Sequence, residues 1–170
     1  MPRQVMYSGR RIQVALDTET APDGHLIQRD IVLHPGAVAI LPLVDDTHVC
    51  LLKNRRPNVG ETLIEIPAGC LEPGEEPAAA AIRELAEETG YRAARWRKLT
   101  DFFPSPGCLS ERTHLFVAQD LMAGDMRPER DEDLQPFVTT WQEALTWALD
   151  GTLRDAKTVL ALLLWDRLRE

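Results

Sequence analysis

No stretch of this chain stays apolar for anything near the roughly 20 residues that a bilayer-spanning helix requires. The opening residues, MPRQVMYSGRRIQV, lack the apolar core of a secretory signal. Membrane insertion and export are therefore not expected. Cysteine is scarce: Cys50, Cys70 and Cys108 are odd in number, far apart and without the CxxC spacing of a zinc site. That excludes a disulfide framework and fits a reducing cytoplasm. Basic charge is short as well, with 19 Lys and Arg against 27 Asp and Glu and a formal net charge of −8. A protein that grips duplex nucleic acid by neutralising phosphates is a poor match to that balance. Any polyanionic ligand would need a metal ion or a local basic cluster to enter so acidic a molecule. Internal repeats and low-complexity tracts are also missing.

What is present is 170 residues at 44% hydrophobic composition, enough for one substantial core and too few for two ordinary domains, so one domain over residues 1–170 is expected. The first third reads as short extended segments at 11–16, 26–33, 37–43 and 48–52. They are punctuated by the turn-forming groups Pro22-Asp23-Gly24, Pro35-Gly36 and Asp45-Asp46. Residues 77–89, PAAAAIRELAEET, form the strongest helix signal: Pro77 suits the first turn, alanines fill it, and Gly90 can supply a left-handed cap. Strands are expected at 96–103, 113–118 and 134–139, then helices at 141–149 and 153–169. The last of these places Val159, Leu160, Leu163, Leu164 and Leu168 on an apolar face. Strands on both sides of an amphipathic helix, with helices at the end, predict an α/β fold in which a mixed sheet is sandwiched between helices.

On a wheel at about 100° per residue, the middle helix carries Ala78, Ala81, Ile82, Leu85 and Thr89 on one side and Glu84, Glu87 and Glu88 on the other. Like charges three and four residues apart destabilise a helix by a few tenths of a kcal/mol per pair. A solvated acidic face would be the ordinary explanation, but the segment just before the helix argues otherwise. Residues 66–75, IPAGCLEPGE, carry two glycines and two prolines that turn the backbone towards the helix, where the carbonyl of Ala68 can add a further oxygen. A hard cation such as Mg²⁺ seeks carboxylates, a carbonyl, waters and substrate phosphates.

Residues 69–91, GCLEPGEEPAAAAIRELAEETGY, resemble the signature of the Nudix hydrolases. Gly69, Glu75, Arg83, Glu84, Glu87, Glu88 and Gly90 fill all seven fixed positions, with Tyr91 where an aliphatic residue is more usual. A chance match in a chain of this length is on the order of one in a million. The resemblance implies the Nudix α/β fold, with an N-terminal antiparallel strand region ahead of it. It also implies Mg²⁺, Mn²⁺ or another divalent cation as cofactor, held by Glu84, Glu87, Glu88 and the backbone of Ala68. Arg83 and Glu75 would then lock the glutamates by bidentate hydrogen bonds.

Flanking segments resemble the ADP-ribose branch of that family. Pro106, in Phe102-Phe103-Pro104-Ser105-Pro106-Gly107, lies fifteen residues beyond the signature, a position resembling the mark of ADP-ribose pyrophosphatases. Arg56, in Lys53-Asn54-Arg55-Arg56-Pro57, matches an arginine that meets the substrate's phosphates, while Asn54 stands where glutamine is usual. Glu111 resembles a polar contact on the terminal ribose side, and Glu132, in an acidic loop, resembles the catalytic base. The branch commonly exchanges N-terminal strands between two subunits, which implies a homodimer through residues 1–35 and places Arg29 and Asp30 near a partner's adenine pocket. His34, His48 and His114 read as core or edge residues, not ligands. The expected reaction is hydrolysis of ADP-ribose to AMP and ribose 5-phosphate, with a nucleotide sugar such as GDP-mannose, or a dinucleotide, as the alternative. A non-catalytic nucleotide-binding regulator would be expected to lack some signature carboxylates, and all are present.

Overall fold

A computed structural model describes residues 3–127 and 133–169. Three sheets organise it. Strands β1 (Gln4–Ser8), β2 (Gln13–Thr20) and β3 (Leu26–Leu33) form an antiparallel N-terminal sheet in that order. Strands β4 (Ala37–Pro42), β5 (His48–Arg56), β6 (Glu61–Glu65), β7 (Ala68–Cys70), β8 (Arg92–Phe102), β9 (Thr113–Met122) and β10 (Leu134–Thr140) make the other two. These run β10-β5-β6, all antiparallel, and β7-β4-β9-β8, mixed because β4 and β9 are parallel. The helices are α1 (Pro77–Thr89), α2 (Trp141–Asp150) and α3 (Ala156–Leu168).

The two-residue period of β4 and β9 creates the layering. Val38 and Ile40 of β4 join Phe116 and Ala118 of β9 against Ala80, Ala81 and Leu85 of α1. The alternate residues, Ala39, Leu41, Leu115 and Val117, face the other way into a cluster with Trp141 of α2 and Ala161, Leu162 and Trp165 of α3. Side chains alternating across a pleated strand thus feed two cores at once, and the mixed sheet is sandwiched between helices as the sequence suggested. Tyr91 packs its ring against the α1 cluster, in the role an aliphatic residue would fill.

Two helical faces differ from expectation. In α1 the buried residues are Ala80, Ala81, Glu84, Leu85 and Glu88, whereas Ile82 is 54% exposed. The helix lies over β4 with β7 alongside, so the row at 84 and 88 sinks into the seam and Ile82 turns outward. In α3 the buried row is Thr158, Ala161, Leu162 and Trp165, while Leu163 and Leu168 are exposed. A polar threonine and a small alanine allow close approach to the sheet, which the leucine-counting face could not anticipate. The helix also begins later than residue 153, at Ala156, because the Asp155 side chain caps it by accepting from Thr158 N–H.

Candidate active site

The site starts at β7. Pro67 O accepts from Ile40 N–H and Leu71 N–H donates to Gly36 O, so residues of odd number along β7 face β4. Alternation then turns the N–H and C=O of Ala68 the other way, towards α1. That N–H donates to Glu88 Oε2 at 2.9 Å. Gly69 sits under Glu84: a Cβ there would lie 1.9 Å from Glu84 Oε1 and 2.0 Å from its Cδ. Only a residue without a side chain lets this carboxylate lie against the strand.

Arg83 organises the remaining acids. Its Nε and Nη2 each donate to Glu75 at 2.9 Å, its Nη1 donates to Glu84 Oε1 at 2.6 Å and to Glu87 Oε2 at 3.1 Å, and Nη2 also reaches Cys70 O at 3.2 Å. One guanidinium therefore fixes three of the signature glutamates and a backbone carbonyl. The hydrogen bond to Glu75 is the main reason the Arg83 pKa rises above its ordinary value, and the same bond depresses Glu75. Glu84 and Glu88 are buried, at 7% and 3% exposure, as a solvated acidic face would not be.

These groups open onto a cavity of about 530 Å³. Ala68, Gly69, Arg83, Glu84 and Glu88 form one part of its wall, and Arg10, Arg11, Arg56 and Lys157 are the cations of the rest. A local basic cluster inside an acidic protein is what a polyanionic ligand requires. Arg56 is anchored by a bidentate pair with Glu65, 2.8 Å from Nε to Oε1 and 2.6 Å from Nη2 to Oε2. That bond is the main cause of the raised Arg56 pKa, with the charges of Glu88 and Asp155 adding to it. Burial pushes the Glu65 carboxyl up, but Arg56 and Lys157 together more than offset it, so Glu65 lies below the usual carboxylate range.

Among the described residues, no three His, Cys, Asp or Glu side chains already converge as a metal cage. Arg83 and the Ala68 N–H hold the glutamates instead. The donors nevertheless fit a hard divalent cation. Two carboxylates one turn apart, a third beside them and the outward edge of Ala68 are oxygen donors, and Mg²⁺ is bound by a few such groups plus waters and substrate phosphates. The space that Gly69 leaves by lacking a side chain is filled by the Glu84 carboxylate and serves no apolar packing.

Other expected residues divide. Glu111 lines the cavity, accepting from Thr113 Oγ1 at 2.8 Å, and so does His34, whose Nδ1 accepts from Gly36 N–H at 3.1 Å. Arg56 and Glu111 are thus brought to the signature residues. Pro106 is exposed on the loop before β9 and does not line the cavity. Arg29 pairs with Glu19 on the N-terminal sheet, and Asp30 is exposed beside it, both away from this wall. Asn54 lines a separate small groove. Glu132 lies outside the described residues. Sequence reasoning gave no role to Glu65, Lys157, Arg10 or Arg11. Of these only Glu65 carried a signal, as an acid inside the apolar run Leu63-Ile64-Glu65-Ile66. No helix among the described residues is long and apolar enough to cross a membrane.

Comparison with known proteins agrees with this geometry. The NUDIX domain family model matches residues 33–162. The ADP-ribose pyrophosphatase of Bacillus subtilis (strain 168) is 39% identical over 162 residues, covering 94% of this chain and 88% of that protein. The methanol dehydrogenase activator of Bacillus methanolicus is 36% identical over 159 residues, covering 92% and 86%. A solved structure described as an ADP compounds hydrolase superposes with a TM-score of 0.86 at 24% identity, covering 99% of this chain and 91% of that one, which bears on the fold alone. A signature helix complete in all its acids, the mixed sheet between helices that carries it and the family match over most of the length together make this chain a Nudix hydrolase, an enzyme of the pyrophosphatase type.

Proposed function

We propose that this enzyme hydrolyses the diphosphate of ADP-ribose, giving AMP and ribose 5-phosphate, with Mg²⁺, Mn²⁺ or another divalent cation as cofactor. The observation that carries the reading is the cavity itself: buried Glu84 and Glu88 share it with Arg56, which is fixed from behind by Glu65. Likeness to an ADP-ribose pyrophosphatase over 94% of the chain supports the choice of substrate. Glu84, Glu87, Glu88 and the Ala68 carbonyl would hold the cation, which when bound neutralises charge on the diphosphate and makes a water more acidic.

The chain's own residues do the rest. Arg56 orients the diphosphate by its guanidinium, and Arg83 keeps Glu84 and Glu87 in fixed rotamers. Glu132 takes the proton from the attacking water. Glu111 meets the terminal ribose, Pro106 shapes the loop beside it, and Arg29 and Asp30 meet the adenosine of a second copy's site. The last assignment treats residues 1–170 as one catalytic unit that pairs through residues 1–35. Exposed Val5, Met6, Tyr7 and Leu26 on the N-terminal sheet support such pairing, being apolar surface that a partner would cover.

Glu84→Gln and Glu88→Gln test the metal assignment. Each should lower turnover of ADP-ribose by at least a hundredfold at saturating Mg²⁺ while the protein stays folded, since an amide oxygen can still accept the bonds from Arg83 or Ala68. Wild-type rates in either variant would refute it. A panel of ADP-ribose, GDP-mannose and dinucleotides, ranked by kcat/KM, tests the substrate. A clear preference for a nucleotide sugar would replace ADP-ribose. Product analysis in ¹⁸O water identifies the phosphorus attacked.

A further inference from the structure

Glu65 is 1% exposed at the end of β6, and it anchors two cations. Its Oε2 accepts from Arg56 Nη2 at 2.6 Å and from Lys157 Nζ at 2.8 Å, so the two cationic nitrogens are neighbours across a single oxygen. Lys157 also donates to Asp155 Oδ1 at 2.7 Å. Asp155 in turn accepts from Thr158 Oγ1, whose own oxygen accepts from Ile66 N–H at 2.8 Å, tying the start of α3 to the end of β6.

Lys157 stands in the first turn of α3, where the positive end of the helix dipole disfavours a cation. Helix stability therefore does not account for it. Its side chain is largely covered, yet it lines the same cavity as Arg56, Glu84 and Glu88. An ammonium has three N–H donors, and two are taken by Glu65 and Asp155. The third has no partner among the described residues, and neither has Arg56 Nη1. A shared buried carboxylate thus sets two cations side by side at the cavity wall, each with a donor left over. Two adjacent phosphates match that pairing, the planar fork serving one and the point charge the other.

We propose that Lys157 is a second phosphate-binding cation of this site, and that Glu65 is the positioning residue that holds it beside Arg56. This rests on the reading of the cavity as a diphosphate site. A purely structural Lys157 would instead staple α3 to β6, and affinity separates the two.

Lys157→Gln removes the charge while its amide can still bond Glu65 and Asp155, and Lys157→Arg keeps the charge. Calorimetric binding of ADP-ribose in EDTA, where turnover is not expected, should weaken about tenfold in Lys157→Gln. KM with Mg²⁺ should rise by a similar factor, kcat should stay within threefold, and Lys157→Arg should recover most of the affinity. Because Glu65 acts on Lys157 as well as on Arg56, adding Glu65→Gln to Lys157→Gln should cost less affinity than the product of the separate effects. A lowered Tm with unchanged affinity and KM in Lys157→Gln would overturn the role of Lys157, and independent effects in the double variant would overturn that of Glu65. A wild-type enzyme that neither binds nor hydrolyses any nucleoside diphosphate of the panel would refute the diphosphate reading first, and this proposal with it.

Discussion

Replacing Gly69 by alanine separates stability from chemistry at this site. The added methyl would stand 1.9 Å from Glu84 Oε1, 2.0 Å from Cδ and 2.5 Å from Oε2, so the carboxylate must retreat by about 1 Å or more. Gly69 does not have a positive φ, so alanine fits the backbone, and the less flexible unfolded chain is worth about 0.4–1 kcal/mol. The atoms that must move are the far end of a flexible side chain, and relaxing them costs about 1–3 kcal/mol. The second term exceeds the first by at most about 2.6 kcal/mol, and Tm should fall by no more than about 10 °C in a protein of this size. Turnover should respond far more, because a shift of about 1 Å in a positioned group can cost 10²-fold, or about 2.7 kcal/mol of transition-state stabilisation. Differential scanning calorimetry, ADP-ribose turnover and Mn²⁺ binding followed by electron paramagnetic resonance give the three quantities. A folded Gly69→Ala enzyme with wild-type turnover and metal affinity would show that Glu84 has no need to lie against β7.

Acid should loosen the protein through Glu65. Its folded pKa is depressed, so its contribution is complete above the ordinary value of 4.5 and is lost as pH falls through the lower folded value; urea midpoints measured from pH 7 to pH 3 should drop mainly below that point, and less so in Glu65→Gln. Gly90→Ala should destabilise by at least about 2 kcal/mol, lowering Tm by at least about 4–8 °C, because Gly90 has φ 75° and a Cβ there would approach Gly124 O to 2.5 Å; an unchanged Tm would contradict the cap geometry. Tyr7→Glu combined with Leu26→Glu should halve the mass measured by light scattering if the exposed faces of the N-terminal sheet join two copies, and an unaltered dimer would place the interface elsewhere.

How much of this was legible in advance depends on how local the cause is. The α1 helix, its Pro77 start and its Gly90 stop come from residues a few positions apart, and the structure places them where the sequence does. So do the seven signature residues, whose spacing along one turn and one helix fixes what can meet what. Arg83 reaching Glu75, Glu84 and Glu87 needed only that spacing. Only the tertiary structure decided which helical faces sink. Ile82 is exposed and Glu88 buried because β7 lies along one flank of α1, a neighbour set by chain topology and invisible to a helical wheel. The pairing of Lys157 with Glu65, 92 residues apart, belongs to the same class. Sequence settles interactions whose partners are fixed by local backbone geometry, whereas a contact between distant segments exists only once packing has brought its two surfaces together.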